Sequence, residues 1–251
     1  MTAGNGILVR DLRAGYGGQQ VVHGVDFHVE PGELVAILGP NGAGKTTTLL
    51  ALAGAIKSSG QIEMFGAPVA GRLVKRAERG LAFLPESRAI IRRLTVAENL
   101  RLSGADADTV LAISPELEPL MDRKVGLLSG GEQQILSLTQ AIAIEPEILM
   151  ADELSFGLAP LVVHRMLALA REAADRGDAV LLVEQYAHQV LAVADRGYVM
   201  QRGIIVTEGS AAELLSRIDD IEAAYLGTRE HAYREPESGS AEADELGGGR
   251  E

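Results

Sequence analysis

The sequence feature that most restricts the fold is a glycine-rich segment between an apolar run and a helical stretch. Residues 34–38 are LVAIL, a continuous apolar run typical of a strand buried on both faces of a largely parallel sheet. The segment GPNGAGKT follows at positions 39–46, and residues 46–53 have the composition of a helix. This order of strand, glycine-rich loop and helix predicts an α/β domain with a phosphate-binding loop.

The residue types in this loop match what binding of a nucleoside triphosphate requires. Glycines let successive backbone N–H groups surround phosphate oxygens, and the N-terminus of the following helix adds positive potential. Lys45 is predicted to reach the β- and γ-phosphates, and the Thr46 hydroxyl to bind Mg²⁺. The residues predicted to form this phosphate site are Gly39, Pro40, Asn41, Gly42, Ala43, Gly44, Lys45, Thr46 and Thr47.

A second apolar run, residues 148–151, ends in two carboxylates, Asp152 and Glu153. In an open parallel sheet, ligand chemistry takes place at the carboxyl ends of the strands. We therefore predict that Asp152 binds Mg²⁺ and that Glu153 polarises a water molecule for attack on the γ-phosphate. Taken alone, an acid pair after a strand is equally consistent with a solvated turn or a helix cap.

Composition and charge exclude several classes of protein. The chain has 251 residues, is 47% hydrophobic and carries 23 Lys+Arg against 35 Asp+Glu, a formal charge of −12. We expect a soluble protein with a sizeable core, because no apolar stretch is long enough to span a bilayer. The acidic charge argues against a nucleic-acid partner. The absence of cysteine excludes disulfides, and with no secretion signal recognised the expectation is a cytosolic protein.

The pattern along the chain alternates between strands and helices. Predicted strands cover residues 7–10, 21–23, 26–29, 34–38, 148–151 and 180–183. Predicted helices cover residues 46–53, 107–113, 116–121, 131–143 and 161–175. The segment 99–128 is interpreted as a small helical insert, and the basic residues Lys75, Arg76 and Arg79 as a solvated helix face. Residues 229–251 have the composition of a disordered acidic tail.

A third motif, LSGGEQQ at positions 128–134, precedes a predicted helix. By itself, Ser-Gly-Gly before a helix is merely a capped helix start. Combined with the glycine-rich loop before it and ILMADE after it, it makes the chain resemble the ATP-binding subunits of ABC transporters over residues 7–227. The resemblance implies the P-loop fold of the ABC ATPases, with a mixed sheet, an antiparallel β subdomain and a short helical subdomain at about 87–145, within a domain of residues 1–228.

The same resemblance implies ATP hydrolysis coupled to transport by a head-to-tail dimer. The second subunit is an identical or paralogous ATPase, and each chain supplies half of each ATP site. Residues 155–160 occupy the position of the loop that crosses the dimer seam. The residues that contact the γ-phosphate bound by the other subunit are Ser129, Gly130, Gly131 and Glu132.

Three further positions take their roles from the resemblance. Tyr16 corresponds to the aromatic residue that stacks on adenine. Glu86 stands where many relatives carry a glutamine that touches Mg²⁺ and the membrane subunit. Gln185 stands where they carry a switch histidine, and its amide can orient the γ-phosphate but does not titrate near neutral pH.

Several sequence details resemble the ATPases of branched-chain amino acid importers, which also serve amide and urea uptake. These details are VEQ at 183–185, GLAP at 157–160, ADRGYV at 194–199 and AYLG at 224–227. The implied partners are transmembrane permease subunits and, indirectly, a solute-binding protein, with the chain on the inner face of the plasma membrane. Leu154 replaces the usual proline and Gln140 the usual arginine, and the helical insert is short, so the transported solute stays open.

Two other interpretations compete with the importer hypothesis. A non-transport ABC ATPase acting on the ribosome or DNA is disfavoured by the single set of motifs, the short insert and the acidic charge. A regulatory subunit without useful hydrolysis is suggested by Leu154, Gln140 and Gln185, but the retention of Lys45 and Glu153 disfavours it.

Overall fold

A computed structural model describes residues 6–69 and 71–223 of the chain. Its strands are β1 (Ile7–Tyr16), β2 (Gln19–Val29), β3 (Leu34–Leu38), β4 (Ser58–Met64), β5 (Ala67–Pro68), β6 (Leu81–Leu84), β7 (Ile148–Asp152), β8 (Ala179–Glu184), β9 (Arg196–Gln201) and β10 (Ile204–Ser210). Its helices are α1 (Lys45–Ala53), α2 (Leu73–Ala77), α3 (Val96–Ser103), α4 (Ala107–Ile113), α5 (Gly130–Ala143), α6 (Pro160–Asp175), α7 (Ala187–Leu191) and α8 (Ala211–Ser216). Two 3₁₀ helices, Pro115–Leu120 and Val125–Leu127, precede α5. Among the residues described, no helix has the length and apolar character needed to cross a membrane.

The larger sheet has six strands in the order β10-β9-β3-β8-β7-β6. All neighbouring pairs are parallel except β9 and β10, which are antiparallel. Strands β3, β7 and β8 are buried along their whole length, as their continuous apolar sequences predict. The carboxyl ends of these three strands therefore lie side by side at one edge of the sheet.

A second, antiparallel sheet has the strand order β2-β1-β4-β5. Val9 and Phe27 of this sheet belong to the same hydrophobic core as Ile37 and Met150 of the larger sheet and Leu49 of α1. A helix is thus enclosed between two sheets. The mixed sheet and the antiparallel sheet confirm the predicted α/β architecture. The two short strands predicted at 21–23 and 26–29 form one strand, β2, and β4, β5, β6, β9 and β10 were not predicted.

The helical insert confirms one predicted helix and corrects another. The helix at 107–113 is α4, with the predicted bounds. The helix predicted at 116–121 is a 3₁₀ helix, Pro115–Leu120, which begins with one proline and contains a second, Pro119, so two of its residues have no backbone donor. Helix α3 was not predicted, although Thr95 and Glu98 form a capping box at its start. The boundaries at 87, 145 and 228 stay predictions, and the tail at 229–251 lies outside the described residues.

The prediction of a solvated basic face at 75–79 was wrong for Arg76. This side chain is buried, and its guanidinium donates to the Ala51 oxygen at 3.1 Å and to the Leu52 oxygen. Both carbonyls belong to the last turn of α1, where backbone oxygens lack intrahelical donors and the helix dipole favours a cation. Arg76 therefore closes the end of α1 that is opposite the glycine-rich loop, whereas Lys75 and Arg79 are exposed as predicted.

Candidate functional site

The glycine-rich loop joins the carboxyl end of β3 to the first residue of α1. Gly42 and Gly44 have φ angles of 81° and 106°, a region that favours glycine. At Gly39, a Cβ would lie 2.3 Å from the oxygen of Met200, so no side chain fits there. The Ala43 amide donates to the Pro40 oxygen at 3.1 Å, which closes the turn. The loop therefore places Lys45 at the first position of α1.

The ammonium group of Lys45 is buried among oxygen atoms. Its side chain is 3% exposed, and Nζ donates to the oxygens of Gly39 at 2.9 Å and Pro40 at 3.3 Å. Nζ also lies 3.4 Å from Oε1 of Glu153, which belongs to a different strand end. The predicted lysine and one of the two predicted carboxylates are thus in direct contact.

Asp152 and Glu153 follow β7 but are held differently. Glu153 leaves the strand with a φ of 49°, and its amide donates to the Val183 oxygen at 2.8 Å. Asp152 is 2% exposed; this burial raises its pKa to about 6, and a hydrogen bond from Thr46 acts in the opposite direction. One Asp152 oxygen, Oδ1, is buried without a hydrogen-bond partner among the residues described.

A cavity of about 320 Å³ lies in front of the loop. It brings together most of the residues predicted for the phosphate and the attacking water, together with Val21 and Phe156. The predicted residues that line it are Asn41, Gly42, Gly44, Lys45, Thr46, Thr47, Glu86 and Glu153. The arrangement offers one buried cation and a helix N-terminus to a bound polyanion, and it places two carboxylates, those of Glu86 and Glu153, beside them.

The other predicted residues do not line this cavity. Tyr16 ends β1 with 48% of its surface exposed, and Gln185 directly follows β8 and is half-buried. Ser129 caps α5 by accepting from the Glu132 amide at 3.2 Å, and the Glu132 carboxylate accepts from the Ser129 amide at 2.6 Å. Gly130 is exposed, whereas a Cβ at Gly131 would lie 3.0 Å from a methyl group of Val162 in α6. The start of α5 is therefore exposed at Ser129 and Gly130, whereas Gln133 and Gln134 of the same motif are buried.

The loop that carries Glu86 is hydrogen-bonded to α5. The sequence analysis did not predict this contact. Arg88 donates through Nε to Gln134 Oε1 at 2.6 Å and through a terminal nitrogen to Gln133 Oε1 at 2.9 Å. Gln140 Nε2 donates to the Ala89 oxygen at 2.9 Å. All three glutamines are buried, and their hydrogen bonds to residues 88 and 89 are partly buried. The sequence signal was three glutamines, at positions 133, 134 and 140, on one helix.

A second missed residue is Glu184, the last residue of β8. Its carboxylate is 2% exposed and accepts from the Ser155 amide at 3.1 Å and the Ser155 hydroxyl at 2.6 Å. Burial raises the pKa of Glu184 to about 7, and the hydrogen bonds from Ser155 limit the rise. The only sequence signal was a charged residue at the end of an apolar strand.

The raised pKa of Glu184 predicts a pH-dependent stability. Below pH 4.5, its ordinary pKa, the carboxyl is neutral in both folded and unfolded chains; as pH rises to about 7, the unfolded chain loses the proton first. Its contribution to the free energy of unfolding is therefore present at low pH and lost by pH 8, a change of roughly 3 kcal/mol. Urea unfolding of the wild type and Glu184→Gln at pH 4.5 and 8 measures it. Equal pH dependence of the two proteins would contradict this expectation.

Comparison with known proteins decides the family. Residues 22–155 match the family described as ABC transporter. The chain belongs to this family. It is similar to the high-affinity branched-chain amino acid transport ATP-binding protein BraG of Pseudomonas aeruginosa, with 38% identity over 223 residues that cover 84% of this chain and 95% of BraG. It is also similar to the lipopolysaccharide export ATP-binding protein LptB of Escherichia coli K12, with 31% identity over 88% of this chain and 97% of LptB.

The fold agrees with that of solved ABC cassettes. The ADP conformation of MJ1267, an ATP-binding cassette of an ABC transporter, superposes with a TM-score of 0.78 at 24% identity, covering 88% of this chain and 98% of MJ1267. The mixed sheet and antiparallel subdomain are therefore those of an ABC ATPase, as predicted. As a member of this family, the ABC ATPase binds nucleotide and hydrolyses ATP in a transporter that also contains permease components.

Proposed function

We propose that this ABC ATPase drives import of branched-chain amino acids or related amides. The observation that carries this proposal is the 38% identity to BraG over 84% of this chain and 95% of BraG. The identity to LptB is lower, 31%. The VEQ sequence at 183–185 and GLAP at 157–160 support the same subgroup. The chain would then lie on the cytoplasmic face of the membrane, bound to permease subunits that receive solute from a solute-binding protein.

The residues around the cavity have distinct roles in the proposed hydrolysis. The backbone N–H groups of the glycine-rich loop and the Lys45 ammonium hold the β- and γ-phosphates. Glu153 accepts a hydrogen bond from the attacking water and polarises it. Support comes from their geometry, since the Glu153 carboxylate lies 3.4 Å from Nζ of Lys45. The water is thereby directed to the terminal phosphate.

The residues assigned to Mg²⁺ provide the oxygen ligands that this ion prefers. Thr46 forms a hydrogen bond with Asp152. Oδ1 of Asp152 is buried without a hydrogen-bond partner among the described residues, which leaves this oxygen available to a metal ion. Glu86 lines the same cavity. Thr46, Asp152 and Glu86 would hold the ion, which would neutralise charge on the phosphates.

We further propose that two ATPase subunits, identical or paralogous, close head to tail on two ATP molecules. Ser129, Gly130, Gly131 and Glu132 would then contact the γ-phosphate bound by the other subunit, Tyr16 would stack on adenine, and Gln185 would orient the γ-phosphate. The apolar residues Phe156 and Leu161 support the proposal. Phe156, in the loop assigned to the dimer seam, is 55% exposed, and Leu161, in the first turn of α6 directly after that loop, is 82% exposed. A second subunit would cover them.

Uptake by intact cells tests the proposed substrate. A strain lacking this chain is expected to lose uptake of labelled leucine, isoleucine and valine, and the wild-type chain should restore it while Lys45→Ala should not. Affinity capture from native membranes with the Glu153→Gln variant and ATP should recover two permease subunits. Unchanged uptake of all three amino acids and of amides, or recovery of ribosomal proteins without a permease, would overturn the importer proposal.

A further inference from the structure

A buried carboxylate lies under the loop that follows Glu153. Glu184 accepts hydrogen bonds from the amides of Leu154 and Ser155 and from the Ser155 hydroxyl. Within residues 6–69 and 71–223, no lysine, arginine or histidine forms an ion pair with it. Among the described residues, its charge is therefore compensated by hydrogen-bond donors from one short segment, Leu154 and Ser155.

These donors belong to a turn with an unusual backbone. Glu153 adopts a φ of 49°, which a non-glycine residue holds only when its surroundings impose it. The Glu153 amide donates to the Val183 oxygen, and the next two amides donate to the Glu184 carboxylate. Two consecutive residues of β8 thus fix three consecutive residues, 153–155. The Leu154 side chain, 2% exposed, anchors the same turn in the core.

Glu184 lowers the stability of the protein near neutral pH, because a buried carboxylate without a cation is unfavourable. The rise of its pKa to about 7 expresses the same penalty. Leucine or glutamine at this position would fill the space without a charge. A residue that costs stability next to a reaction centre is typical of a functional requirement.

We propose that Glu184 is a positioning residue for ATP hydrolysis, which fixes the 153–155 turn and so holds the Glu153 carboxylate beside Lys45. The inference rests on the proposed role of Glu153 in hydrolysis. Glu184 does not line the nucleotide cavity. We expect its effect to reach the attacking water through the orientation of Glu153, because Glu153 and Ser155 are parts of the same turn.

Kinetics of Glu184→Gln test the proposal. Glutamine has the same shape but keeps only one oxygen acceptor and no charge. We expect kcat for ATP to fall about tenfold, with KM for ATP changed less than about twofold, and a melting temperature at pH 8 equal to or above that of the wild type. Glu213→Gln is the matched control. Glu213 also accepts from the amide and hydroxyl of a serine, Ser210, but it is exposed at the start of α8.

A double variant separates positioning from general structural effects. If Glu184 acts through Glu153, adding Glu184→Gln to Glu153→Gln leaves the residual rate unchanged. A tenfold further loss in the double variant would overturn the inference, as would normal turnover of Glu184→Gln or a fall in kcat accompanied by lower melting temperature and higher KM. Normal turnover of Glu153→Gln would instead overturn the proposed function itself, and the inference with it.

Discussion

The Glu153→Gln variant is expected to bind ATP normally and to hydrolyse it about a thousandfold more slowly. Glutamine fills the same space and can still contact Nζ of Lys45, 3.4 Å from the native carboxylate. An amide is not a base, however, so it does not polarise the attacking water. The loss should therefore appear in kcat and not in the dissociation constant for ATP. Single-turnover hydrolysis and equilibrium titration with ATP measure the two quantities separately.

The same variant should accumulate as an ATP-bound dimer. Each triphosphate would bridge the glycine-rich loop of one subunit and the Ser129 segment of the other, so bound ATP favours the closed pair until it is hydrolysed. Light scattering after size-exclusion chromatography, with and without ATP, measures the molecular mass of the variant and so distinguishes monomer from dimer. Glu147→Gln is a suitable control, because Glu147 is an exposed acid immediately before the same strand, at the opposite end from the cavity. A monomeric Glu153→Gln with wild-type turnover would refute both the catalytic and the dimer proposals.

Features encoded by contiguous sequence were predicted well. Strands β3, β7 and β8 are continuous apolar runs, and their burial follows from that composition alone. The glycine-rich loop was recognised from the spacing of its glycines. Because this loop and Glu153 both follow the carboxyl ends of parallel strands, Lys45 and Glu153 lie close together at the same edge of the sheet. Local chemistry was sufficient because each of these elements is shaped mainly by its own residues.

Features that depend on distant partners were not predicted. Strand β9 contains Arg196, whose guanidinium pairs with Glu33 at 2.5 Å across 163 residues of sequence. Its neighbour β10 alternates exposed and half-buried residues at the sheet edge and lacks a continuous apolar run. Arg76 was predicted to belong to a solvated basic run, but it donates a hydrogen bond to the last turn of α1, 25 residues away in the sequence. The residue types alone do not reveal such long-range contacts.

In the candidate site, too, residues of contiguous motifs were predicted and contacts with distant segments were not. Most of the residues that meet at the cavity were identified individually from sequence motifs, whereas Val21 and Phe156 were not. The side chains that hold these motifs in place, Arg88 and Glu184, bond to segments 45 and 29 residues away, respectively. Their partners, Gln133 and Ser155, belong to motifs that were recognised for other reasons. Hydrogen bonds between segments so far apart in the sequence can be identified only from the folded structure.

The Lys45→Ala variant is expected to raise the dissociation constant for ATP about a hundredfold. The Lys45 ammonium is the one cation that lines the glycine-rich cavity among the described residues, and it is 3% exposed, so a phosphate there would meet little competition from water. Charge-assisted hydrogen bonds in such a site are roughly twice as strong as neutral ones. Removing the lysine also leaves Glu153 without its nearest cation, which adds repulsion toward the triphosphate.

Calorimetric titration with ATP measures the loss, and Lys57→Ala is the matched control. Lys57 lies on the exposed surface just beyond the end of α1, whereas Lys45 is its first residue. The two variants remove the same charge from the same region of sequence, so a difference between them reports the position of the ammonium and not the net charge of the chain. A dissociation constant within a few fold of the wild type for Lys45→Ala would mean that the backbone N–H groups and the proposed Mg²⁺ hold the phosphates without the lysine, because no other basic side chain lines the described cavity.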